Sequence, residues 1–277
     1  MVLVHVHAFY IEQIPGLLAR LNALLAAGER LDVFVTASAD RAPEIRPIVA
    51  TALPSAKFVE VADAGYDVAP FLEVLHRVDL ADYDLVLKLH TKGRCFSEPF
   101  TRMNGRYLSD DLWSDTLVHS LVGSPFAFAR CREMFAADAS IGMAGSSYCV
   151  VPGNSDRDAV DSELAKIGLS AVDTFDFVAG TMFIVRASLL KPLLRCDLEA
   201  FLNSGESGGD FTLAHVMERV FGAVVVAQGF RVVGLPEPAY RFRFMVLPIV
   251  RVWRFATRGF WRRVFNKNHA DSKRWRA

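Results

Sequence analysis

Apolar and polar residues alternate along the first ninety positions in blocks that predict strands and helices in turn. Short apolar runs favour strands, and longer runs with an apolar residue every three or four positions favour helices. The predicted strands are VLVHVHAF, LDVFVTAS, AKFVEVADAG and the run that ends at His90, and the helices between them are IEQIPGLLARLNALLAAG, APEIRPIVATAL and VAPFLEVLHRVDL. Single helices between strands predict an α/β fold with a Rossmann-type, mostly parallel central sheet flanked by helices.

The second half of the chain is less regular. Helical patterns cover 110–122 and 125–137. They are followed by a strand, SIGMAGSSY, a polar surface excursion, a strand and helix in FVAGTMFIVRASLLKPLL, a Gly-rich loop and helix in NSGESGGDFTLAHVMERVFG, and a strand, AVVVAQGF. We interpret residues 1–240 as one domain on a single sheet.

Composition narrows the class of protein. The chain has 277 residues, of which 52% are hydrophobic and 22% charged, as in a globular protein. No run reaches the ~18 apolar residues of a membrane span, and the first residues lack the basic region of a signal peptide. The four cysteines are scattered without a CxxC spacing, which disfavours a disulfide framework or a zinc site and indicates the cytosol.

The net charge of the chain is zero, but the charge is unevenly distributed between a body, residues 1–240, and a tail, residues 241–277. Residues 241–277 contain eleven of the 31 basic residues and one of the 31 acidic ones, so the tail carries +10 and the body −10. On a helical wheel, 249–265 places four arginines opposite an apolar face with aromatic edges. This pattern predicts a C-terminal basic amphipathic helix on an anionic membrane surface, with packing on the chain's own core as the alternative.

The stretch DYDLVLKLHTKGR carries the first candidate chemistry. Residues just past a strand of an open α/β sheet usually face the ligand crevice. Here they are His90, Thr91 and Lys92, three side chains able to donate hydrogen bonds, which suit a diphosphate. Lys92 could balance the charge of a leaving nucleotide diphosphate, a role that a divalent metal often fills. The alternative is that Lys92 is only a solvated surface lysine and that His90 is a polar residue whose hydrogen bonds are made within the protein at the sheet edge.

Two glycine-containing segments add candidate binding residues. In ADAGYDVAPF, Gly65 permits an unusual backbone and Asp67 stands at a helix start, where it is either an N-cap or a nucleotide ligand, or both. In FVAGTMF, Gly180 marks a bulge or a close backbone approach, so residues 179–182 form either a small-residue floor beside a ligand or a tight core crossing. In the first case Gly180 and Thr181 border the sugar or the acceptor.

The segment ESGGDFTLAHVMERV supplies candidate carboxylates for a general base. Asp210 opens a helix after a Gly-rich loop, and Glu206 is its rival within the loop. A plain N-cap is the alternative role for Asp210. Glu218 follows roughly two turns along the helix, away from the end expected to face the crevice, so we rank it lower.

Four segments together resemble the rhamnan synthesis protein F family: AGYDVAPFL, YDLVLKLHTK, FVAGTMFIVR and DFTLAHVMERVFG. They keep the family's order and span most of residues 3–233. The resemblance implies a GT-A-like glycosyltransferase of rhamnose-rich cell-surface polysaccharides. It also implies a nucleotide-sugar donor, dTDP-L-rhamnose, and a polyprenyl-diphosphate-linked or growing glycan acceptor at the cytoplasmic face of the membrane.

The resemblance also bears on individual residues. In GT-A enzymes the strand ending near residue 90 delivers an Asp-x-Asp metal motif, whose place is taken here by His90-Thr91-Lys92, so we expect no metal cofactor. The acidic residue that opens a later helix acts as base in inverting members, and Asp210 matches it. Tyr66 stands where the family has an arginine, which leaves the donor contact of that side chain open.

Our leading hypothesis is therefore an inverting, metal-independent glycosyltransferase, cytoplasmic and peripherally attached to the inner face of the cell membrane. The alternative is a catalytically silent sugar-nucleotide-binding module that docks a polysaccharide-synthesis complex on the membrane. A nucleic-acid-binding arm fits the tail less well than a bilayer does, because the basic and apolar residues occupy opposite faces.

Overall fold

A computed structural model describes residues 1–92, 101–103, 106–108, 110–203 and 212–235, which belong to one compact unit, Met1–Pro236. The helices are α1 Ile14–Ala26, α2 Ala42–Ala52, α3 Val68–His76, α4 Asp110–Val122, α5 Pro125–Ala137, α6 Arg157–Lys166, α7 Glu199–Asn203 and α8 Leu213–Ala227. The strands are β1 Val2–His7, β2 Leu31–Ser38, β3 Lys57–Val61, β4 Leu85–His90, β5 Thr101–Met103, β6 Arg106–Leu108, β7 Ile141–Ser146, β8 Val150–Pro152, β9 Asp176–Val178, β10 Phe183–Arg186 and β11 Arg231–Leu235.

Seven of these strands form the central sheet, in the order β11-β7-β10-β4-β1-β2-β3. Strands β3, β2, β1 and β4 are parallel to one another, as the βαβ pattern predicts, and β10 is antiparallel to both β4 and β7. The prediction of an α/β fold with a mostly parallel sheet flanked by helices is confirmed.

A polar stripe crosses β1 and β4, whose other residues are all apolar. Every residue of β1 and β4 is buried, as is usual where helices cover both faces of a parallel sheet. Side chains two positions apart share a face, and the register places His5 beside Lys88 and His7 beside His90. Thr36 of β2 lies next to His7 in the same register. The five polar residues therefore lie together on one face of the sheet.

An aromatic cluster lies around Lys88 in this stripe. Phe71 of α3, Phe183 of β10 and Phe221 of α8 contact one another edge to face, with ring centroids 5.5–6.0 Å apart. Edge-to-face pairs of this kind stabilise a core by about 0.5–1.5 kcal/mol beyond their burial. The polar stripe is thus enclosed by apolar packing except where it ends at the edge of the sheet.

The structure corrects two predicted elements. The valine run predicted as a strand over 223–230 is mostly the end of α8, whose residues 220–225 are all buried, and the strand follows at β11. A helix that is apolar on all sides gives no 3.6-residue periodicity, which is why the run resembled a strand. The predicted strand FVAGTMFIVR is broken into β9 and β10 by a turn at Gly180 and Thr181.

The predicted basic tail, 241–277, lies outside the described residues, so its helix and its membrane contact stay predictions. Among the helices in the described ranges, none combines the length and apolarity that crossing a bilayer requires.

Candidate functional site

A cleft of about 660 Å³ opens at the carboxyl ends of β1 and β4 and is bordered by the starts of α3 and α8. Small-molecule sites have volumes of roughly 300–1,000 Å³, so the cleft has room for a nucleotide-sized ligand. Its position is the edge of an open α/β sheet at which ligands commonly bind. The polar stripe ends in this cleft, where His7 and His90 are among the lining residues.

Most of the predicted binding residues meet in this cleft. Those that line it are Asp67, His90, Thr91, Lys92, Gly180 and Thr181. Gly65 lies in the turn before α3 and does not line the cleft itself, although its neighbours Ala64 and Tyr66 do. The predicted catalytic carboxylates, Asp210 and Glu206, lie outside the described residues, so their roles stay predictions.

Lys88 is the residue that sequence reasoning missed. Its side chain is 0% exposed, and its ammonium group donates to Asp67 Oδ2. It also donates to the carbonyl oxygen and to Oγ1 of Thr181, each at 3.1 Å, so all three ammonium protons are used. The hydroxyl of Thr181 donates in turn to Asp67 Oδ2. A buried lysine thereby fixes a carboxylate in the wall of the cleft.

The aromatic cluster keeps water away from this ion pair. Lys88 Nζ lies 5.5 Å from the ring centroid of Phe71 and 6.0 Å from those of Phe183 and Phe221. Burial alone would raise the pKa of Asp67, but His90, Lys88 and the hydrogen bonds from Lys88 and Thr181 hold it well below its usual value. Burial lowers the pKa of Lys88, and Asp67 opposes that shift. The contacts of the pair are those of an ammonium group with three acceptors and of a carboxylate.

Asp67 stands at the N-cap position of α3, yet its side chain makes no hydrogen bond to the helix. Asp67 is therefore the N-cap residue by position, as one of the two predicted roles requires, but its carboxylate binds Lys88 instead of the helix N–H groups. Thr181 has φ 51°, a left-handed conformation that is unusual for a β-branched residue. Such strain persists only where several contacts hold it, and here Lys88 bonds both the backbone and the hydroxyl of Thr181.

His90 ends β4 with its ring almost buried, 7% exposed. Its Nε2 lies 2.8 Å from the carbonyl oxygen of Gly180, and its Nδ1 lies 3.0 Å from that of Thr91. Burial lowers the pKa of His90; Asp67 opposes this, and Lys88 and Lys92 reinforce it. Since both ring nitrogens face carbonyl groups, His90 can act on a ligand through its charge rather than through a hydrogen bond.

Thr91 and Lys92 follow His90 along the floor of the cleft. Thr91 Oγ1 accepts from the backbone N–H groups of Phe9 and Tyr10 at 2.8 and 2.9 Å, which orients the segment after β1. Its hydroxyl proton remains a donor. The side-chain amide of Gln13 bonds both the N–H and the carbonyl of Lys92, at 2.9 and 2.6 Å. The backbone of Lys92 is therefore fixed where its side chain lines the cleft.

Two histidines on β1 form a hydrogen-bonded chain with Thr36. Thr36 Oγ1 lies 2.9 Å from His5 Nε2 and 3.1 Å from His7 Nδ1. A hydroxyl has one proton and two lone pairs, so Thr36 either accepts from both rings or donates to one and accepts from the other. Burial above all lowers the pKa of His7 to about 4, and it lowers that of His5 as well. Both rings are neutral at pH 7, and His7 reaches the cleft.

Glu218 lies in the cleft, which corrects the expectation that it faces away. Helix α8 begins at Leu213, so Glu218 is only in its second turn. Its Oε1 accepts from the N–H of Gly180 at 2.5 Å. The turn between β9 and β10 is thus held from β4 by His90 and Lys88 and from α8 by Glu218.

Tyr66 and His215 form the rim of the cleft. Tyr66 is 57% exposed and has φ 52°, and its ring meets that of His215 edge to face at 6.1 Å. Gly65, just before it, has φ 64°. A Cβ there would lie 2.6 Å from the ring of Phe201, so only glycine fits. The turn thereby presents an aromatic ring to solvent at the mouth of the cleft.

The cleft combines fixed hydrogen-bonding groups with the lysine side chain of Lys92, and this arrangement suits an anionic, hydroxyl-rich ligand. Within the described ranges, no cluster of three or more His, Cys, Asp or Glu side chains has the geometry of a metal site. The expectation that no metal is used stays a prediction.

A family model described as rhamnan synthesis protein F matches residues 1–230. Two curated relatives, from two strains of Xanthomonas campestris pv. campestris, are both named uncharacterized protein WxcX and are 29% identical over 234 residues. The match covers 82% of this chain and 31% of each relative, so the chain spans about a third of their length.

Three solved structures are distantly similar. Galactosyltransferase LgtC, in complex with donor and acceptor sugar analogs, has a TM-score of 0.38 and 13% identity, over 84% of this chain and 73% of its own. 4-Diphosphocytidyl-2C-methyl-D-erythritolsynthase from Anaerococcus prevotii DSM 20548 has a TM-score of 0.36 and 11% identity, over 88% of this chain and 93% of its own. Glycosyltransferase GlyE of Streptococcus pneumoniae TIGR4 has a TM-score of 0.36 and 9% identity, over 92% of this chain and 50% of its own. At these scores the likenesses do not assign an activity.

Proposed function

Because this chain belongs to the rhamnan synthesis protein F family, we propose that it is an inverting glycosyltransferase. It transfers a sugar from a nucleotide-diphosphate donor, dTDP-L-rhamnose, to a lipid-linked or growing cell-surface polysaccharide. The observation that carries the proposal is the cleft at the carboxyl edge of the sheet, where six of the residues predicted to bind the donor lie together.

The donor diphosphate lies against the floor that follows β4. Lys92 supplies a positive charge and the Thr91 hydroxyl a hydrogen bond. Asp67 has one oxygen bound by Lys88 and Thr181, and its other oxygen is suited to accept from a hydroxyl of the donor. The exposed ring of Tyr66 is placed to cover a planar base or a sugar ring at the mouth. Each charged hydrogen bond to the ligand contributes roughly 1.5–3 kcal/mol.

The reaction exchanges one carbon–oxygen bond for another. The acceptor hydroxyl gives its proton to Asp210, and its oxygen bonds the anomeric carbon. The bond from that carbon to the diphosphate breaks, and its electron pair leaves with the nucleotide diphosphate. The assignment of Asp210 comes from the sequence and is supported by its position ahead of α8, whose first turns line the cleft.

Release of nucleotide diphosphate tests the proposal. The protein is incubated with dTDP-L-rhamnose and a lipid-linked acceptor in EDTA, and the released dTDP is measured. Asp210→Asn is expected to lower turnover by about 10²-fold or more with donor affinity nearly unchanged. Glu206→Gln and Glu218→Gln are matched controls, since each removes one carboxylate charge near the start of the same helix and is expected to leave most of the turnover.

Each result points to a different conclusion. Full turnover in Asp210→Asn with a large loss in Glu206→Gln or Glu218→Gln would move the base to that residue. Activity that requires added Mg²⁺ or Mn²⁺ would refute the metal-independent mechanism. Donor binding without dTDP release, for any nucleotide sugar, would favour the silent binding module. The membrane contact of 241–277 stays a prediction from the sequence.

A further inference from the structure

His90 lies among groups that act toward it as hydrogen-bond acceptors. They are two carbonyl oxygens and Thr181 Oγ1, which lies 3.4 Å from Nε2 and donates its own proton to Asp67. His90 Nε2 and Nδ1 lie 2.8 and 3.0 Å from the carbonyl oxygens of Gly180 and Thr91. A neutral imidazole has one N–H, so one ring nitrogen then presents a lone pair to a carbonyl oxygen. Only the imidazolium, with two N–H groups, satisfies both contacts. The backbone around His90 is therefore arranged for the charged form of the ring.

Burial and the two neighbouring lysines oppose that form in the unliganded protein. Burial is the largest influence and disfavours a charged ring; among its neighbours, Asp67 of α3 favours it, and Lys88 and Lys92 disfavour it. The nearest carboxylate oxygen, Asp67 Oδ2, is 3.9 Å from Nε2 and already accepts from Lys88. His90 is neutral at pH 7 as a result, and one of its two carbonyl contacts is unsatisfied.

The remaining titratable groups around the ring do not change this balance. His5 and His7 of β1 lie on the same face of the sheet and are themselves held neutral, chiefly by burial. Glu218 of α8 lines the cleft and binds the N–H of Gly180, the residue whose carbonyl faces His90. A further negative charge in the cleft is what would favour the imidazolium.

We propose that His90 takes up one proton when a diphosphate binds in the cleft and becomes a cation of the binding site. The ligand's two negative charges offset the repulsion from Lys88 and Lys92, and the new N–H satisfies the second carbonyl group. His90 then attracts the diphosphate by charge while both nitrogens stay bonded to the backbone. The inference rests on the proposed function in one respect, namely that the ligand is a nucleotide diphosphate sugar.

Calorimetry measures the proton directly. Binding of dTDP-L-rhamnose to the full chain is titrated at pH 7 in two buffers of different ionisation enthalpy, and the difference in heat gives the number of protons taken up. A diphosphate diester does not titrate between pH 5 and 8, so any proton enters the protein. We expect an uptake between about 0.5 and 1 proton, and affinity that rises by up to about tenfold for each pH unit lowered in that window.

Two variants locate the proton. His90→Gln is expected to bind with no proton uptake and with affinity independent of pH. His7→Gln, which removes the other cleft-lining histidine of the polar stripe, is expected to retain the uptake. Histidine-selective ¹⁵N NMR of the wild type gives a second measurement should His90→Gln fail to fold, since both His90 nitrogens are expected to show N–H signals only in the complex.

The possible failures are distinguishable. Binding without net proton uptake, uptake that survives in His90→Gln, or uptake lost in His7→Gln would each overturn this inference and leave the glycosyltransferase proposal standing. Absence of binding by any member of a nucleotide-sugar panel would overturn the proposed function, and this inference with it.

Discussion

Replacing Lys88 with methionine is expected to destabilise the protein by about 3–5 kcal/mol. The substitution keeps the length of the side chain and its contact with the three phenylalanine rings but removes the partner of Asp67. Breaking a buried ion pair at one end leaves an uncompensated charge, which costs about that amount. A Coulomb calculation agrees, because two unit charges 4 Å apart at an effective dielectric of about 20 attract by roughly 4 kcal/mol.

Urea unfolding followed by far-UV circular dichroism measures the change in the free energy of unfolding. The double variant Lys88→Met/Asp67→Leu is expected to recover most of the loss, because an apolar pair can replace a buried ion pair with little net change. Lys57→Met is the matched control. Lys57 is 56% exposed and pairs with Asp32 at the surface, so its loss is expected to cost no more than about 1 kcal/mol.

Two results would refute this account of Lys88. One is a Lys88→Met variant within about 1 kcal/mol of the wild type, since the pair would then contribute no more than a surface contact. The other is additivity, in which the double variant loses the sum of the two single losses; residues in direct contact should instead show an interaction energy of about 0.5–3 kcal/mol or more.

Two further predictions concern stability. The pKa of His7 is about 4 in the folded protein and about 6.5 in the unfolded chain, so the unfolded state binds the proton first as the pH falls. The free energy of unfolding therefore decreases between about pH 6.5 and pH 4, by about 3 kcal/mol for this residue. In urea unfolding, His7→Gln should flatten this pH dependence, and an unchanged slope would contradict the prediction. Gly65→Ala should destabilise the protein by about 2–4 kcal/mol, because the new Cβ meets Phe201 and the backbone there is left-handed. Gly28 is also left-handed but has open space around it, so Gly28→Ala should cost about 1 kcal/mol. Equal losses in the two variants would refute the packing argument.

The sequence was sufficient to predict elements whose pattern is local. The predicted helices 110–122 and 125–137 coincide with α4 and α5, and β4 ends at His90 as its apolar run indicates. The end of α8 was misassigned because a wholly buried helix gives no periodicity. Local patterns therefore predicted the sheet and most helices, and failed where burial on all sides removes the alternation.

The polar stripe required tertiary information. Its partners are far apart in sequence, since Lys88 meets Asp67 and Thr181 only after α3 and β10 pack against β4. A signal was nonetheless present, because His5 with His7 and Lys88 with His90 each show polar residues two positions apart in an apolar strand. That spacing places the members of each pair on one face of a sheet. It does not show which strands are adjacent, and so could not assign their partners.

The charges in the cleft connect these observations with the proposed chemistry. A departing nucleotide diphosphate requires positive charge, and the resemblance suggested that His90, Thr91 and Lys92 supply it in place of a divalent ion. Lys88, two residues before His90, does not add to this charge because Asp67 balances it. Among the described residues that line the cleft, Lys92 is a cation, and a proton on His90 would add a second positive charge beside it. Activity should therefore increase as pH falls toward 6, until protonation of the base reverses the trend.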